Sequence, residues 1–147
     1  MEQAAASTKM LNLINGYLIS QALHVAAPLG IPDLLVQGPL DSEALAPATG
    51  TQADPLRRLM RALAAVGVFH ENAGGRFLLT EFGACLRTDS LEPVGGLAAH
   101  IGLYVWSAAG ALLHSIRTGA GWISAVKLAN SGPLPPIMVT SLGSEPE

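Results

Sequence analysis

At 147 residues the chain has the length of one domain able to bury a real core; half its residues are hydrophobic and 13% are charged, which excludes a disordered, solvating chain. Eight Lys and Arg against 11 Asp and Glu leave a net charge of −3, a poor basis for a protein whose main task is neutralising phosphates. With one cysteine, Cys85, there is no internal disulfide and no second thiol for a metal, and a reducing cytoplasm is the expected setting.

The opening MEQAAASTKMLNLINGYLIS carries an acid at position 2, and Asn12, Asn15 and Gly16 interrupt its apolar part, so it does not read as a secretory leader. From Lys9 to about Leu35 the pattern is helical. Met10, Leu13, Ile14, Tyr17 and Leu18 fall at i, i+3, i+4, i+7 and i+8, one apolar stripe. Leu11, Leu23 and Val25 lie away from it, so more than one face asks to be covered. With no earlier element to cover it, this helix predicts a second chain, and the five stripe residues form the expected dimer interface. Pro28 should break the helix, and GIPDLL starts a short new one with Pro32 near its first turn.

LDSEALAPATG reads as a short helix capped by Asp41 or Ser42, with Glu43 in its first turn, Gly50 at its end and Pro47 expected to shorten it. In GTQADPLRRLMRALAAVGVF, Asp54 reads as the N-cap and Pro55 as the first helical residue. Leu56, Leu59, Met60 and Leu63 are its buried stripe, and Gly67 ends it. VFHENAGGRFLL alternates around a Gly-containing turn, a two-stranded hairpin. Thr80 caps a short helix, EFGACLR, and a long helix is expected from about Pro93 to Arg117. The order of three helices and a hairpin from about 19 to 79 is that of a winged-helix module. After Gly119, with Pro133, Pro135 and Pro136 and no sustained period, the chain reads as mostly irregular.

Residues 10–32 and 93–116 both lack Asp, Glu, Lys and Arg, and either has the length to span a bilayer core of ~30 Å. The first holds Asn12, Asn15, Ser20, Gln21 and His24, and the second holds four glycines and two histidines. Polar side chains at such depths are expensive, so helices buried between protein layers are expected and a membrane partner is not.

Chemistry-bearing motifs are sparse. There is no Gly-rich nucleotide loop after a strand, no Walker lysine and no H-E-x-x-H; PVGGL has no strand before it. The four histidines (His24, His70, His100, His114) lie on separate elements, and His100 and His114 are ~21 Å apart along one helix, too far to share a metal. Satisfied structural roles are expected for all four, and a core position for Cys85. Arg57, Arg58 and Arg61 stand on the helix that a winged-helix regulator would place in a major groove, with Gln52 and Arg57 or Arg58 at base edges. Asp54 at that helix start and a single arginine in the turn HENAGGR argue against it. The arginines are expected to form a solvated face with Glu43 or Glu81 as partners, and no nucleic-acid partner is expected.

Four separated stretches, GYLISQALHVAAPLGIPDLL, ALAPATGTQADPLRRLMRALAAVGVF, GRFLLTEFGACLRTD and LLHSIRTG, occur in this order over about Leu11 to Gly119. Together they resemble the N-terminal dimerisation domain of bacterial class I O-methyltransferases acting on polyketides and other small aromatic metabolites. The resemblance implies a mainly α, winged-helix-like domain with a small hairpin and a long C-terminal helix. It implies that the first helices interlock with a second subunit and that the long helix walls the acceptor pocket, with Trp106 as the best candidate and Leu103 and Tyr104 beside it. The domains that follow are 1–35 (dimerisation helices), 36–92 (winged-helix module), 93–119 (long helix) and 120–147 (a divergent tail). The family's S-adenosylmethionine site and His base belong to a separate Rossmann-like domain, which nothing in this sequence matches. No catalytic, cofactor-binding or metal-binding residue is therefore assigned. From Ala120 the sequence departs from the family, as after a frameshift or early stop, and the chain is expected to be inactive alone. A winged-helix transcriptional regulator is the alternative reading, and a small membrane-associated protein the third.

Overall fold

Helix α1 (Glu2–Ala26) begins seven residues before the expected start at Lys9, through an Ala4–Ala6 run of the best helix former. The computed structural model describes residues 2–91 and 93–121, so most of the irregular tail expected after Gly119 lies outside the described residues. α1 stops two residues before Pro28, and Gly30, at φ 66°, turns the chain into α2 (Ile31–Leu34), which carries Pro32 in its first turn as expected. A 3₁₀ turn (Leu35–Gln37) follows.

In α3 (Ser42–Thr49) the Asp41 carboxylate accepts the Ala44 N–H at 2.9 Å, and Gly50 at φ 66° closes the helix. Pro47 sits inside α3 and does not shorten it. The N–H it lacks would have bonded the Glu43 carbonyl, and both residues are exposed, so that carbonyl can turn to solvent. In α4 (Ala53–Ala65) the cap position is Gln52, which makes no side-chain capping bond, and the expected cap Asp54 is the second helical residue. Its carboxylate instead pairs with Arg58 one turn on, at 3.1 Å, where an acid also suits the helix dipole. Pro55 is tolerated there because first-turn N–H groups have no intrahelical acceptor.

Strands β1 (Phe69–Glu71) and β2 (Phe77–Leu79) pair antiparallel with Phe69 opposite Leu79 and Glu71 opposite Phe77. Asn72 builds the turn, its side-chain oxygen accepting the N–H groups of Gly74 and Arg76. Leu40 adds a bridge that sequence periodicity did not announce: the Phe77 N–H donates to its carbonyl at 2.8 Å and its own N–H returns the bond at 3.1 Å. In the core, Leu45, Met60, Leu63, Phe69 and Phe77 meet Ala26 and Ile31, all essentially inaccessible.

The expected helix EFGACLR is a single turn, α5 (Glu81–Ala84), capped by Thr80. It buries Gly83, and Leu86 follows buried, while Cys85 between them faces solvent rather than the core. The stretch expected as one long helix is helical but segmented: α6 (Gly95–His100), a π-helical turn (Ile101–Val105), α7 (Trp106–Gly110) and α8 (Leu112–Thr118). Glycines at 95, 96, 102 and 110 each weaken an α-helix by ~1 kcal/mol. At Gly102 the missing Cβ also makes room for the His24 ring, which an added methyl would strike. The chain forms two compact units, Met1–Gly102 and Leu103–Glu147, the second described through residue 121. Among the described residues no single helix is long and apolar enough to cross a membrane; residues 5–26 and 31–37 would have the length together but are bent by 61° at their break.

Candidate functional site

Ala22 and Ala26 anchor α1 in the core, their small side chains allowing close approach. Earlier in the helix the large apolar residues stay exposed among the described residues. All five of the expected interface residues are exposed, from Tyr17 at 49% to Leu13 at 76%, and Leu11 off their stripe is 57% exposed. Contiguous apolar exposure of this kind differs from the single scattered apolar residues common on soluble domains.

Two of the three arginines of α4, Arg58 and Arg61, have acidic partners, though not those expected. Arg58 pairs with Asp54 on the same helix and Arg61 with Glu71 on β1 at 3.2 Å. Glu43 and Glu81 belong to other helices, whereas an i, i+4 acid and the neighbouring strand lie within reach. Arg76, beside the hairpin turn, stands 3.9 Å from Asp41. These exposed pairs contribute little to stability, but they set a carboxylate beside the guanidinium groups of Arg58, Arg61 and Arg76.

Leu103 lies in the π-helical turn and Trp106 opens α7, and both remain partly exposed, at 60% and 39%. The Tyr104 side chain lies outside the described residues. Among the histidines, His70 and His114 are exposed. His24 departs from the expected satisfied role: among the described residues its buried Nδ1 has no hydrogen-bond partner, nor has Nε2 of Gln21 one turn earlier on α1. Among the described residues no three His, Cys, Asp or Glu side chains stand close enough to hold a metal ion.

Open cavities line the first unit. One of about 400 Å³ lies among Pro28, Arg87, Thr88 and Gly95, and one of about 190 Å³ among Ser20, Leu23, Leu97 and Ile101. A third, of about 220 Å³, runs between the end of α1 and the start of α4.

Comparison with known proteins decides what kind of domain this is. The model of the O-methyltransferase dimerisation domain matches residues 11–89. The chain belongs to this family. The chain is 38% identical over 116 residues to the phenazine O-methyltransferase PhzM of Lysobacter antibioticus, covering 77% of this chain and 33% of that protein. It is 40% identical over 119 residues to the mitomycin biosynthesis 6-O-methyltransferase of Streptomyces lavendulae, covering 80% of this chain and 34% of the relative. The fold superposes on the structure of the mitomycin 7-O-methyltransferase MmcR with a TM-score of 0.81 at 37% identity, over 89% of this chain and 38% of that one. The chain thus spans about a third of the length of the relatives it matches.

Members of the family are S-adenosylmethionine-dependent methyltransferases, and dimerisation is the role this domain has in them. The described residues do not fit the cofactor. The one sheet among them has two short antiparallel strands, and neither runs into a glycine-rich turn and helix able to receive a nucleoside. No methyl-transfer step follows from these residues.

Proposed function

We propose that the chain serves as the homodimerisation and acceptor-covering part of an S-adenosylmethionine-dependent O-methyltransferase acting on small aromatic metabolites. Residues 1–35 hold the two copies together, 36–92 form the winged-helix scaffold, and 93–119 contribute Trp106, Leu103 and Tyr104 to the acceptor wall. The observation that carries the reading is the exposed, uncharged stretch of α1 around Met10, Leu13, Ile14, Tyr17 and Leu18 in a domain whose family role is dimerisation. Flat apolar side chains such as Trp106 suit an aromatic acceptor, and the acceptor proposed carries a ring hydroxyl. A cytoplasmic setting agrees with the lone exposed thiol.

Sedimentation equilibrium at micromolar concentration tests the dimer. The expected mass is about twice 15.1 kDa, falling to the single-chain mass for Leu13→Asp/Ile14→Asp with the helical circular dichroism retained. A stably folded monomer of the unaltered chain overturns the reading. In an enzyme carrying this domain, Trp106→Ala should raise KM for the acceptor and leave cofactor binding unchanged. Residues 1–121 incubated alone with labelled S-adenosylmethionine and a phenolic acceptor should transfer no methyl group.

A further inference from the structure

The cavity of about 400 Å³ is built wholly within the first unit, from the turn after α1, the residues that follow α5 and the start of α6. Hydrogen bonds hold these pieces together. The Thr88 N–H and hydroxyl both donate to Asp33 Oδ1, at 3.1 and 3.2 Å, and the Val94 N–H donates to the Cys85 carbonyl at 3.0 Å. A Cβ on Gly95 would stand 2.5 Å from the Leu86 carbonyl oxygen, so α6 starts as close to residue 86 as a glycine permits. Most of the lining is small and apolar, with the rings of Pro28 and Pro93 and the Ala27 and Ala99 methyls. Gly96 also lines it, and a Cβ there would meet nothing within 4 Å.

The one charged residue of the lining is Arg87, whose side chain is 28% exposed. One terminal nitrogen of its guanidinium donates to the Asp89 carboxylate. Its Nε is buried and has no hydrogen-bond partner among the described residues. Buried guanidinium N–H groups are donors only, so this one is satisfied by an acceptor that arrives from the cavity. Asp89 already balances the charge. A neutral carbonyl oxygen therefore completes the site, whereas a second carboxylate would face Asp89 across the same guanidinium. The volume falls in the range of small-molecule sites, ~300–1,000 Å³.

We propose that this cavity binds an uncharged, flat ring ketone. Its carbonyl oxygen accepts from Arg87 Nε–H, and its ring lies among Pro28, Pro93, Gly96 and Ala99. The site binds and makes or breaks no bond. The inference uses neither the exposed face of α1 nor Trp106.

NMR titration of the isotope-labelled full chain tests it, reading the Arg87 Nε–H signal. The probes are chromone, a bicyclic ketone; indole, a flat bicycle without an acceptor oxygen; and naphthoate, a bicyclic carboxylate. Chromone at millimolar concentration should shift the Arg87 signal saturably, with indole and naphthoate binding at least tenfold more weakly. Arg87→Met removes the donor and keeps the aliphatic stem. Gly96→Leu fills the open space with a better helix former, so the fold is retained even where Arg87→Met perturbs it. Each should weaken chromone binding at least tenfold, read for Arg87→Met from neighbouring backbone amides, with circular dichroism unchanged for Gly96→Leu. No saturable shift with chromone, indole or naphthoate binding within twofold of chromone or more tightly, or a Gly96→Leu affinity within twofold of the parent overturns the proposal. So does an affinity within twofold of the parent for a folded Arg87→Met chain.

Discussion

Substituting Gly83 by alanine sets two effects of opposite sign against each other. Gly83 lies in the single turn of α5, where alanine would ordinarily gain ~0.5–1 kcal/mol over glycine through lower backbone entropy. A Cβ at this position, however, would run into the Val68 carbonyl oxygen and come within 3.1 Å of Leu79 Cδ1. The turn cannot slide away freely. The Gly83 N–H is held by Thr80 Oγ1 at 2.9 Å, and its carbonyl accepts the Leu86 N–H at 3.0 Å. The obstructing atom is backbone, in the link between α4 and β1, so no rotamer change relieves it. Overpacking of this kind costs ~1–3 kcal/mol, which exceeds the helix gain and leaves a net loss of ~0.5–2 kcal/mol. Urea unfolding followed at 222 nm, at one fixed protein concentration, reads it directly. With m of ~1–3 kcal/mol/M, a loss of ~1 kcal/mol lowers the midpoint by ~0.3–1 M at constant m. A midpoint equal to or above that of the parent would refute the close packing of α5 on the α4–β1 link.

Two further substitutions probe the neighbouring caps. Thr80 Oγ1 accepts the Gly83 N–H and lies 2.8 Å from both the Gly67 and Val68 carbonyls, so Thr80→Val loses a cap and a donated bond together. The expected loss is ~1–3 kcal/mol, with Thr80→Ser retaining most of the stability; equal unfolding midpoints for the two variants would show the hydroxyl to be idle. Asp41→Ala should cost ~1 kcal/mol in thermal unfolding through the lost α3 cap, whereas Asp41→Asn should stay within a few tenths, since asparagine caps as well. Equal losses for both would instead place the effect in the ion pair with Arg76, which at 3.9 Å and with Arg76 60% exposed is expected to contribute little.

Much of the fold is written locally. Pro28 with Gly30, Asp41 with Gly50, and Thr80 each end or start an element through backbone chemistry that acts within four residues, and the structure places them where that chemistry requires. Features that depend on distant partners were not readable. Nothing near Leu40 announces its bridge to Phe77, because the acceptor and donor lie 37 residues away. The segmentation after Gly95 depends on how each glycine is used, and Gly102 is set against a ring from α1 rather than by its own neighbours. Cys85, expected in the core, stands just after a one-turn helix, where exposure follows what lies on each side and not hydrophobicity. The exposed stripe of α1 has the same period as a helix packed in its own core, so sequence periodicity finds the face, while the structure adds that it stays exposed among the described residues.

That difference within α1 also bears on how a winged-helix order can act without a basic reading face. Its later half, with Ala22 and Ala26, packs closely enough to be fixed by the core, and fixing one half of a continuous helix holds the other half in place. The large apolar residues therefore stand on a helix continuous with its core-packed half, and an element already helical has less to order on association. On α4, meanwhile, Arg58 and Arg61 sit beside Asp54 and Glu71, so a phosphate approaching either must displace or share a carboxylate already at 3.1–3.2 Å. The element order brings the start of α4 to the surface in either use. What differs is the chemistry around it: Arg58 and Arg61 each stand beside a carboxylate, which weakens the field that would draw in a polyanion.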